Sequence, residues 1–472
     1  MITENKLKNS RQYFDVINPH TKKRVGTVPI TSVEQVQNAL KSSYDFNPLL
    51  SAEERSKLLK RVSIELRANQ EEIARIITSE SGICLKDTFY EVERAAKVAS
   101  FASLVAEKIE EDVSQRYQLE PSNRKPKLRV ITEPLKLIVA ITPFNHPLNQ
   151  VAHKVFPAIA AGACVILKPS SKTPFSAFKL QELLFKVGLP KDMFHIIIGV
   201  PPDRIVDQLV AFPDLDMVTF TGGFEVGLRI VHKMVESGNA LKKLVLELGG
   251  CSPLIVNEDA DIEAATSIAI SGCFGNSGQR CTAIRRIVVL EKIANQFVQA
   301  FAEKARTLKW GDPFDPQIDM GTLISEEAAR LVEERVNRAI KDGAKLILGN
   351  QRQGALYTPT ILDHVDTRSK LVAEETFGPV GSVIRVQTLD EAIAVANQTN
   401  YRLAGAIVTK SKEVAERVSK LLGVGQFNWN GVPSYRTECA PFGGFKNSGN
   451  GEKEGVIHAA YGMRRIRTFY EH

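Results

Sequence analysis

Several features that would assign a protein quickly to a class are missing from this 472-residue chain. The longest apolar runs, such as LKLIVAIT and ACVILKP, are far too short to cross a bilayer. The opening MITENKLKNS has no apolar segment of the kind that directs secretion. Low-complexity linkers and repeats at a fixed period are also missing. We therefore expect a cytoplasmic protein with no membrane partner.

Neither charge nor cysteine content indicates a nucleic-acid partner or a metal. The net charge of +7 arises from 61 basic and 54 acidic residues spread along the chain, whereas a nucleic-acid surface needs clustered positive charge. The densest basic cluster, RKPK at 124–127, is brief. The 6 cysteines contain no C-x-x-C pair, and no histidines stand beside them at zinc-ligand spacing. The sequence predicts no metal site.

The chain does contain a change in the spacing of its apolar residues near residue 137. Residues 31–110 repeat apolar side chains at helical spacing, and Ser51 with Glu54 resembles a capping box. From residue 137, short apolar strands alternate with amphipathic helices, and the strands read LIVAIT, CVILKP, FHIIIG, MVTFTG and KLVLELG. This alternation predicts a parallel, doubly wound sheet. A second alternation from 250 to about 440 predicts another α/β domain.

Polar and glycine-rich turns follow the predicted strands, at the edge where such sheets bind ligands. These turns read PFN, KPSS, TGG and ELGG. The G-x-G-x-x-G fingerprint of a standard dinucleotide-binding turn is missing. TGGFEVG still leads into a helix whose free N–H groups could face a phosphate, although a glycine needed only for tight turning would look the same.

One cysteine, Cys281, stands in GNSGQRCTA among small and polar residues that build no core. A reactive thiol needs surroundings that support its thiolate, and it often works with a general acid or base. His146 in PFNHP would suit a cysteine hydrolase. The alternative uses a carboxylate and an amide: Glu247 ends one apolar strand, and Asn145 ends another with a donor able to stabilise an oxyanion. The residues alone leave both open.

Seven motifs resemble, in the same order, those of the aldehyde dehydrogenase superfamily from about residue 14 to the C-terminus. They are ITPFNHP, ILKPS, FTGG, LELGG, GNSGQRCTA, EETFGPV and PFGGFKNSG. The resemblance implies an α/β fold with two doubly wound domains, a modified Rossmann cofactor domain and a catalytic domain, plus a β-strand oligomerisation arm. The implied bounds are 1–117 and 139–248 for the cofactor domain, 249–440 for the catalytic domain, and 118–138 with 441–472 for the arm and C-terminal segment.

The resemblance also implies how the chain assembles. Most members of the superfamily form dimers or dimers of dimers through the arm, so we expect a homodimer or homotetramer. The final GMRRIRTFY reads as a lone strand that could pair with the arm, in the same subunit or in a neighbour.

Carried over by motif position, the resemblance implies catalytic roles for three residues. Cys281 would attack the aldehyde carbonyl to give a thiohemiacetal, with Asn145 and the backbone N–H of Cys281 as the oxyanion hole. After hydride transfer to the nicotinamide, Glu247 would activate the water that hydrolyses the thioester. Members that pass the acyl group to coenzyme A generally lack this glutamate, so the implied product is a free carboxylic acid.

The implied cofactor is NAD or NADP. The residues at cofactor-contacting positions of the motifs are Ile141, Thr142, Pro143, Phe144, Lys168, Ser170, Ser171, Gly222, Gly223, Glu375 and Phe377. Many NAD-preferring relatives carry a glutamate where this chain has Ser171. Ser171 and the following Lys172 could instead accept the 2′-phosphate of NADP, so both cofactors are expected to be possible.

Two arginines, with Asn145, are the implied substrate contacts. Arg280 precedes the nucleophile, and Arg436 lies in PSYRTECAPFGG, the loop that closes the substrate entrance in relatives. They resemble residues of members acting on small aldehydes that bear phosphonate, phosphate, sulfonate or carboxylate, whose oxygens suit a guanidinium fork. The nearest members are lactaldehyde, phosphonoacetaldehyde and non-phosphorylating glyceraldehyde-3-phosphate dehydrogenases. KVASFASLV lacks the further arginine that some of them carry near 95–105.

Two alternatives remain open for the activity. A structural ion pair for Arg280 and a solvated loop charge for Arg436 would favour neutral short aldehydes such as lactaldehyde. A cofactor-independent cysteine hydrolase or esterase would depend on His146 rather than on Glu247. A non-catalytic member of the superfamily would be expected had Cys281, Glu247 or Asn145 been lost, and all are present.

Overall fold

The computed structural model of the chain describes residues 12–47, 50–111, 113–117 and 127–472. Residues 118–126 of the predicted arm, and residues 1–11, 48–49 and 112 of the predicted cofactor domain, therefore lie outside the described residues. Across these described ranges, no helix is long and apolar enough to cross a membrane.

The N-terminal part is a hairpin followed by helices, as the periodicity of 31–110 predicts. The elements are β1 Tyr13–Ile17, β2 Arg24–Pro29, α1 Val33–Asp45, α2 Ala52–Ala68, α3 Gln70–Ser81 and α4 Leu85–Lys108. The predicted capping box is confirmed: the Glu54 N–H donates to Ser51 Oγ (3.2 Å), and the Ser51 N–H donates to Glu54 Oε2 (2.7 Å). Each reciprocal bond satisfies a donor that the first turn of a helix otherwise leaves free.

The middle of the chain forms the predicted parallel sheet of five strands. Its elements, after β3 Lys127–Pro134, are β4 Leu137–Ile141, α5 Asn149–Ala161, β5 Cys164–Lys168, α6 Phe175–Lys186, β6 Phe194–Ile196, α7 Pro202–Val210, β7 Met217–Thr221, α8 Phe224–Glu236 and β8 Lys243–Glu247. The strand order is β6-β5-β4-β7-β8, so the winding direction reverses at β4. Ligands bind such sheets at this switch point, beyond the carboxyl ends of the strands.

The burial pattern of β4 explains why its sequence is continuously apolar. Ile138 and Ala140 belong to a core shared with α2, α4 and α5, whereas Leu137, Val139 and Ile141 belong to a core shared with α1, α7 and α8. Because helices cover both faces of the sheet, every residue of the strand is buried and none needs to be polar.

The predicted second α/β domain is built on a sheet of seven strands in the order β11-β14-β15-β10-β9-β17-β18. Its elements are β9 Ser252–Val256, α9 Ile262–Phe274, β10 Ile284–Leu290, α10 Glu291–Arg306, α11 Glu326–Lys341, β11 Lys345–Leu348, β12 Arg352–Gln353, β13 Leu356–Tyr357, β14 Thr360–Asp363, α12 Lys370–Ala373, β15 Val380–Val386, α13 Leu389–Ala396, β16 Tyr401–Arg402, β17 Ala404–Val408, α14 Lys412–Leu421 and β18 Gln426–Trp429. All neighbours are parallel except β11, which pairs antiparallel with β14.

The C-terminal elements are β19 Phe445–Lys446, α15 Val456–Gly462 and β20 Arg464–Glu471. The last strand pairs antiparallel with β3 of the same chain, from Arg464 opposite Pro134 to Glu471 opposite Lys127. The expected pairing of the final strand with the arm is therefore present within one subunit. Ile466, Phe469 and Tyr470 of β20 remain exposed on this two-stranded ribbon.

Candidate functional site

The predicted site residues converge where the carboxyl ends of the five-stranded sheet face the loop before β10. Asn145 follows β4, Glu247 ends β8, and Cys281 lies between α9 and β10. The two domains touch here through backbone: a Cβ on Gly250 would overlap the carbonyl of Cys281, so only glycine allows this approach.

The small residues before Cys281 form a tight turn with left-handed backbone. Asn276, Ser277 and Gly278 have φ angles of 58°, 53° and 68°. A Cβ on Gly278 would overlap the carbonyl of Gly378, which places this turn directly against the loop that carries Phe377. The small residues of this turn therefore allow a close backbone contact and also leave space around the Cys281 thiol.

Two cavities meet at Cys281. One, of about 290 Å³, is lined by charged residues of α4 and of the loops before β10 and β19. The other, of about 260 Å³, is lined by the turns after β4, β7 and β8 together with Glu375 and Phe377. Cys281 and Gln150 line both. We call them the charged cavity and the turn cavity.

Burial, together with the nearby carboxylates of Glu375 and Glu247, raises the pKa of the Cys281 thiol to about 12. The Arg436 guanidinium acts in the opposite direction. The thiol is therefore protonated at neutral pH in this protein without ligands. Reaction at the sulfur needs a group that removes the proton or positive charge brought to the site.

Asn145 is held rigidly beside the cysteine loop. Its side-chain Nδ2 donates to the Gln279 carbonyl (2.8 Å), and its own carbonyl accepts from Asn276 Nδ2 (3.0 Å). A side-chain amide has two N–H donors. One is used by Gln279, and the other is left for an oxygen in the turn cavity that Asn145 lines.

Glu247 is buried, with 2% of its surface exposed, and neither carboxylate oxygen has a hydrogen-bond partner within the described ranges. Burial raises its pKa well above the ordinary value, and the charge of Glu454 adds to the effect. Its Oε1 lies against Gly443, and Glu247 is not among the residues that line the two cavities.

The turn after β7 leaves helix N–H groups open. Gly223 is the N-cap of α8 and provides no side-chain cap, and the position of a Cβ on it is empty space. Free N–H groups at the start of a 13-residue helix, together with the helix dipole, favour an anion such as a phosphate. Gly222 and Gly223 both line the turn cavity.

Lys168 ends β5 and is 6% exposed, and its Nζ donates only to the Pro169 carbonyl (3.2 Å) among the contacts that the described residues make. Burial lowers its pKa to about 8. A buried ammonium without a carboxylate partner indicates a position for ligand oxygens. Ser171 and Lys172 line a separate cavity of about 480 Å³.

The remaining predicted cofactor residues fall into two groups. Pro143, Phe144, Glu375 and Phe377 line the turn cavity, where the Phe144 and Phe377 rings pack edge to face at 5.9 Å. Ile141, Thr142 and Ser170 lie at the ends of β4 and β5 outside the lining of either cavity, and Thr142 donates its N–H to the Lys168 carbonyl (3.1 Å).

Two arginines that sequence reasoning missed hold the loop of Glu375 and Phe377. Arg335 Nη1 donates to the Glu375 carbonyl (2.8 Å). The buried Arg285 donates to the carbonyls of Gly378 (2.8 Å) and Gly278, which joins this loop to the cysteine turn. No motif marks either residue, because the carbonyls of Gly378 and Glu375 that they bind are 93 and 40 positions away in sequence.

The charged cavity contains both predicted substrate arginines. Within the described parts of the chain, neither the Arg280 nor the Arg436 guanidinium forms an ion pair, and Arg436 Nη1 is buried without a partner. The Arg436 guanidinium lies 3.8 Å from the centre of the Phe442 ring. Both arginines are half-buried, and a guanidinium group that lines a cavity without a carboxylate partner is suited to an anionic ligand.

A third arginine lines the same cavity but is neutralised. Arg94 Nε and Nη2 donate to the two oxygens of Glu438 (2.6 and 3.2 Å), and His153 Nε2 also lies 2.6 Å from Glu438. KVASFASLV, residues 97–105, supplies no arginine, as the sequence shows, but Arg94 precedes it on the same helix. This network fixes the loop of Arg436 to α4 and α5.

The acids of the charged cavity are engaged with the protein itself. Glu91 accepts from the N–H groups of Leu148 (2.9 Å) and Asn149 (3.0 Å) at the start of α5 and lies 3.3 Å from His146 Nδ1. Asp87 accepts from the Asn276 N–H (3.1 Å). The two acids are thus held by hydrogen bonds at the start of α5 and at the cysteine turn, and neither forms an ion pair with Arg280 or Arg436.

Comparisons with known proteins agree with this geometry. The model of the aldehyde dehydrogenase family matches residues 6–469. The chain is 35% identical to a 3-sulfolactaldehyde dehydrogenase of Priestia aryabhattai, over 96% of this chain and 94% of that protein. It is 35% identical to a lactaldehyde dehydrogenase of Methanocaldococcus jannaschii, over 97% of each. A crystal structure of a glyceraldehyde-3-phosphate dehydrogenase from M. jannaschii complexed with NADP superimposes with a TM-score of 0.91 at 34% identity, covering 98% of this chain and 99% of that one.

Proposed function

The chain belongs to the aldehyde dehydrogenase family, and from that premise we propose that it oxidises a small anion-bearing aldehyde to the carboxylic acid with NAD or NADP. The observation that carries the proposal is a pair of arginines without ion-pair partners, Arg280 and Arg436, in the charged cavity that Cys281 also lines. A guanidinium fork matches two oxygens of a sulfonate, phosphate, phosphonate or carboxylate. The similar 3-sulfolactaldehyde dehydrogenase of P. aryabhattai is named for such a substrate.

In the first step, the Cys281 sulfur forms a bond to the aldehyde carbon, and the carbonyl π electrons move to oxygen. The free N–H of Asn145 and the backbone N–H of Cys281 hold this oxyanion. The thiol proton must leave before attack, because the pKa of Cys281 is raised by burial. Glu247 is the nearby carboxylate that can take this proton after rotation, and because burial raises its pKa, its ionised form is a stronger base than an exposed carboxylate.

The residues of the turn cavity fit a nicotinamide dinucleotide. The open N–H groups at Gly223 suit its phosphates, the buried Lys168 suits ribose hydroxyls, and Glu375 and Phe377 would hold the nicotinamide end. When bound, such a cofactor would supply the hydride acceptor for oxidation of the thiohemiacetal. Cys281 lines both cavities, so the charged cavity would hold the substrate and the turn cavity the cofactor on either side of the reacting sulfur.

Glu247 then passes the thiol proton to solvent, and in the last step its carboxylate removes a proton from water while the water oxygen bonds to the thioester carbon. The carbon–sulfur bond then breaks, which releases the carboxylic acid and returns the Cys281 thiolate. A carboxylate with a raised pKa suits this general-base role. Rotation from Gly443 toward Cys281 would bring it into position.

Ser171 and Lys172 make NADP compatible with the adenosine end of the site. Lys172 is exposed on the turn after β5 and supplies positive charge beside the Ser171 hydroxyl. A 2′-phosphate would accept hydrogen bonds from both. NAD lacks this phosphate and would lose only those contacts.

We further propose that the chain works as a homodimer or homotetramer. The ribbon of β3 and β20 exposes Ile466, Phe469 and Tyr470. Exposed apolar side chains on an open two-stranded ribbon are suited to burial against another subunit.

The test measures reduction of NAD and NADP with lactaldehyde, succinic semialdehyde, glyceraldehyde-3-phosphate, phosphonoacetaldehyde, sulfoacetaldehyde and neutral propanal, with Cys281→Ala as control. We expect reduction that favours anionic aldehydes and disappears in the variant. A preference for propanal would refute the anion specificity. Ester hydrolysis without cofactor that depends on His146 and not on Glu247 would favour the hydrolase instead; within the described residues, however, no hydrogen bond joins His146 to Cys281.

A further inference from the structure

The first turn of α5 carries two buried side-chain amides that the protein leaves unsatisfied. Asn149 is 1% exposed and Gln150 is 7% exposed. Neither Asn149 Oδ1 nor Gln150 Oε1 has a hydrogen-bond partner among the residues that the structure describes. An unpaired buried amide costs about 1–3 kcal/mol. Two such groups side by side indicate a ligand that pairs with them.

Gln150 also occupies a distinctive place. Like Cys281, it lines both the charged cavity and the turn cavity. Asn149 lines the charged cavity only. An aldehyde bonded to the Cys281 sulfur has its carbonyl carbon at this junction, and the next carbon of the substrate must point into the charged cavity. The amide of Gln150 therefore borders the position of substituents on that next carbon.

The polarity of the cavity decides which substituent fits. The free arginines supply donors only, and the carboxylates of Asp87 and Glu91 each accept from a backbone N–H of the protein. An ionised sulfonate, phosphate or carboxylate accepts hydrogen bonds but donates none, so it leaves an amide oxygen unpaired. A hydroxyl both donates and accepts, and it pairs with either end of a side-chain amide.

We propose that Gln150, supported by Asn149, recognises a hydroxyl on the carbon next to the aldehyde, and that the substrate is an anionic 2-hydroxyaldehyde. Arg280 and Arg436 bind the anion at the far end, and Gln150 binds the hydroxyl next to the reacting carbon. This specificity rests on the proposed dehydrogenase function. It separates hydroxylated aldehydes from deoxy aldehydes that carry the same acid.

The experiment compares matched aldehydes that differ only in this hydroxyl. One pair is 3-sulfolactaldehyde and 3-sulfopropanal, and the other is lactaldehyde and propanal. For the wild-type enzyme we expect kcat/KM to be at least about tenfold higher for the hydroxylated member of each pair, because the deoxy compound leaves a buried amide unpaired. Gln150→Met, which keeps the length and helix preference of the side chain, should remove most of this preference, so that the ratio of kcat/KM values within each pair falls toward one.

Gln150→Glu serves as the second variant, because it retains an acceptor and should keep part of the preference. Equal kcat/KM values for both members of each pair in the wild-type enzyme would overturn the proposal. So would a parallel loss for both members in Gln150→Met, which indicates a packing role. In either case turnover of sulfopropanal would still leave the dehydrogenase function standing.

A binding measurement keeps the two hypotheses separable if no aldehyde is oxidised. Calorimetric titration of Cys281→Ala with 3-sulfolactate and with 3-sulfopropionate tests hydroxyl recognition without turnover. Tighter binding of 3-sulfolactate that Gln150→Met abolishes would support the recognition of the hydroxyl, whereas the absence of turnover would refute the proposed reaction. Equal affinity, or no binding of either acid, would overturn hydroxyl recognition.

Discussion

Replacing Arg436 by methionine separates a substrate-binding arginine from a structural one. The guanidinium lies over the Phe442 ring at 3.8 Å, and its Nη1 is buried without a partner. Charge-assisted hydrogen bonds to a substrate anion contribute about 1.5–3 kcal/mol, so kcat/KM for an anionic aldehyde should fall roughly 10- to 150-fold. The value for propanal should stay within about threefold, because propanal has no anion to lose contact with.

The effect of Arg436→Met on the free energy of unfolding should be small. The variant loses a cation–π contact of about 1 kcal/mol but also removes a cation whose burial is uncompensated and costs about as much. We therefore expect the free energy of unfolding to change by no more than about 1 kcal/mol. A structural arginine of the same burial would cost more when it is removed.

Arg94→Met provides the matched control in the same cavity. Arg94 is bidentate to Glu438, whose side chain is 6% exposed, and removing it leaves that carboxylate with only His153. Breaking a buried ion pair costs about 3 kcal/mol. Urea denaturation and steady-state kinetics on both variants give the comparison. If Arg436→Met destabilises the fold as much as Arg94→Met and lowers kcat/KM equally for anionic and neutral aldehydes, the assignment of Arg436 to the substrate is wrong.

Three further results are expected. Glu247→Gln should abolish steady-state turnover, and in thermal scans it should raise Tm more at pH 9 than at pH 5. The pKa of Glu247 is raised in the folded protein, so ionising this carboxyl group costs stability that grows as the pH rises above the pKa of the unfolded chain. An equal shift of Tm at both pH values would contradict this. In cofactor-free protein, alkylation of Cys281 by iodoacetamide, corrected with Cys281→Ala, should rise with pH through pH 9 without a plateau, and a plateau near pH 7 would refute the raised pKa. Ser171→Glu should lower kcat/KM about tenfold or more for NADP and little for NAD, since the added carboxylate would repel a 2′-phosphate; equal losses for both would rule that out.

The sequence predicts the sheets well because their signal is local. The strands LIVAIT and CVILKP are continuously apolar, and helices on both faces explain why. Glu247 and Cys281 are also detectable, because an acid ending an apolar strand and a thiol among small polar residues violate ordinary core patterns. Their positions relative to one another depend on domain contacts such as that of Gly250 with Cys281, which no local pattern contains.

The residues that sequence reasoning missed share one physical property: their partners are distant in the chain. Arg94 meets Glu438 across 344 positions, and Arg285 donates to Gly378 across 93. Gln150 lies in α5, a helix whose residues are all buried, and only the two cavities that it lines distinguish it from a core glutamine. A motif identifies a residue by its neighbours in sequence, so it cannot identify these.

The buried carboxylates of this site differ in how many hydrogen-bond and ion-pair partners the protein gives them. Glu438 is bound by Arg94 and His153, and these partners outweigh burial and hold its pKa below the ordinary value. Glu247 is equally buried, but its oxygens have no hydrogen-bond partner within the described ranges, and its pKa is raised instead. Removing a partner from a satisfied buried carboxylate is costly, whereas an unsatisfied one already reduces stability, which is acceptable at a site where its chemistry is used. The same criterion distinguishes Arg436, which has no carboxylate partner, from Arg94, and it supports our proposal that Cys281, Glu247 and the two unpaired arginines, rather than the paired charges around them, carry out the reaction.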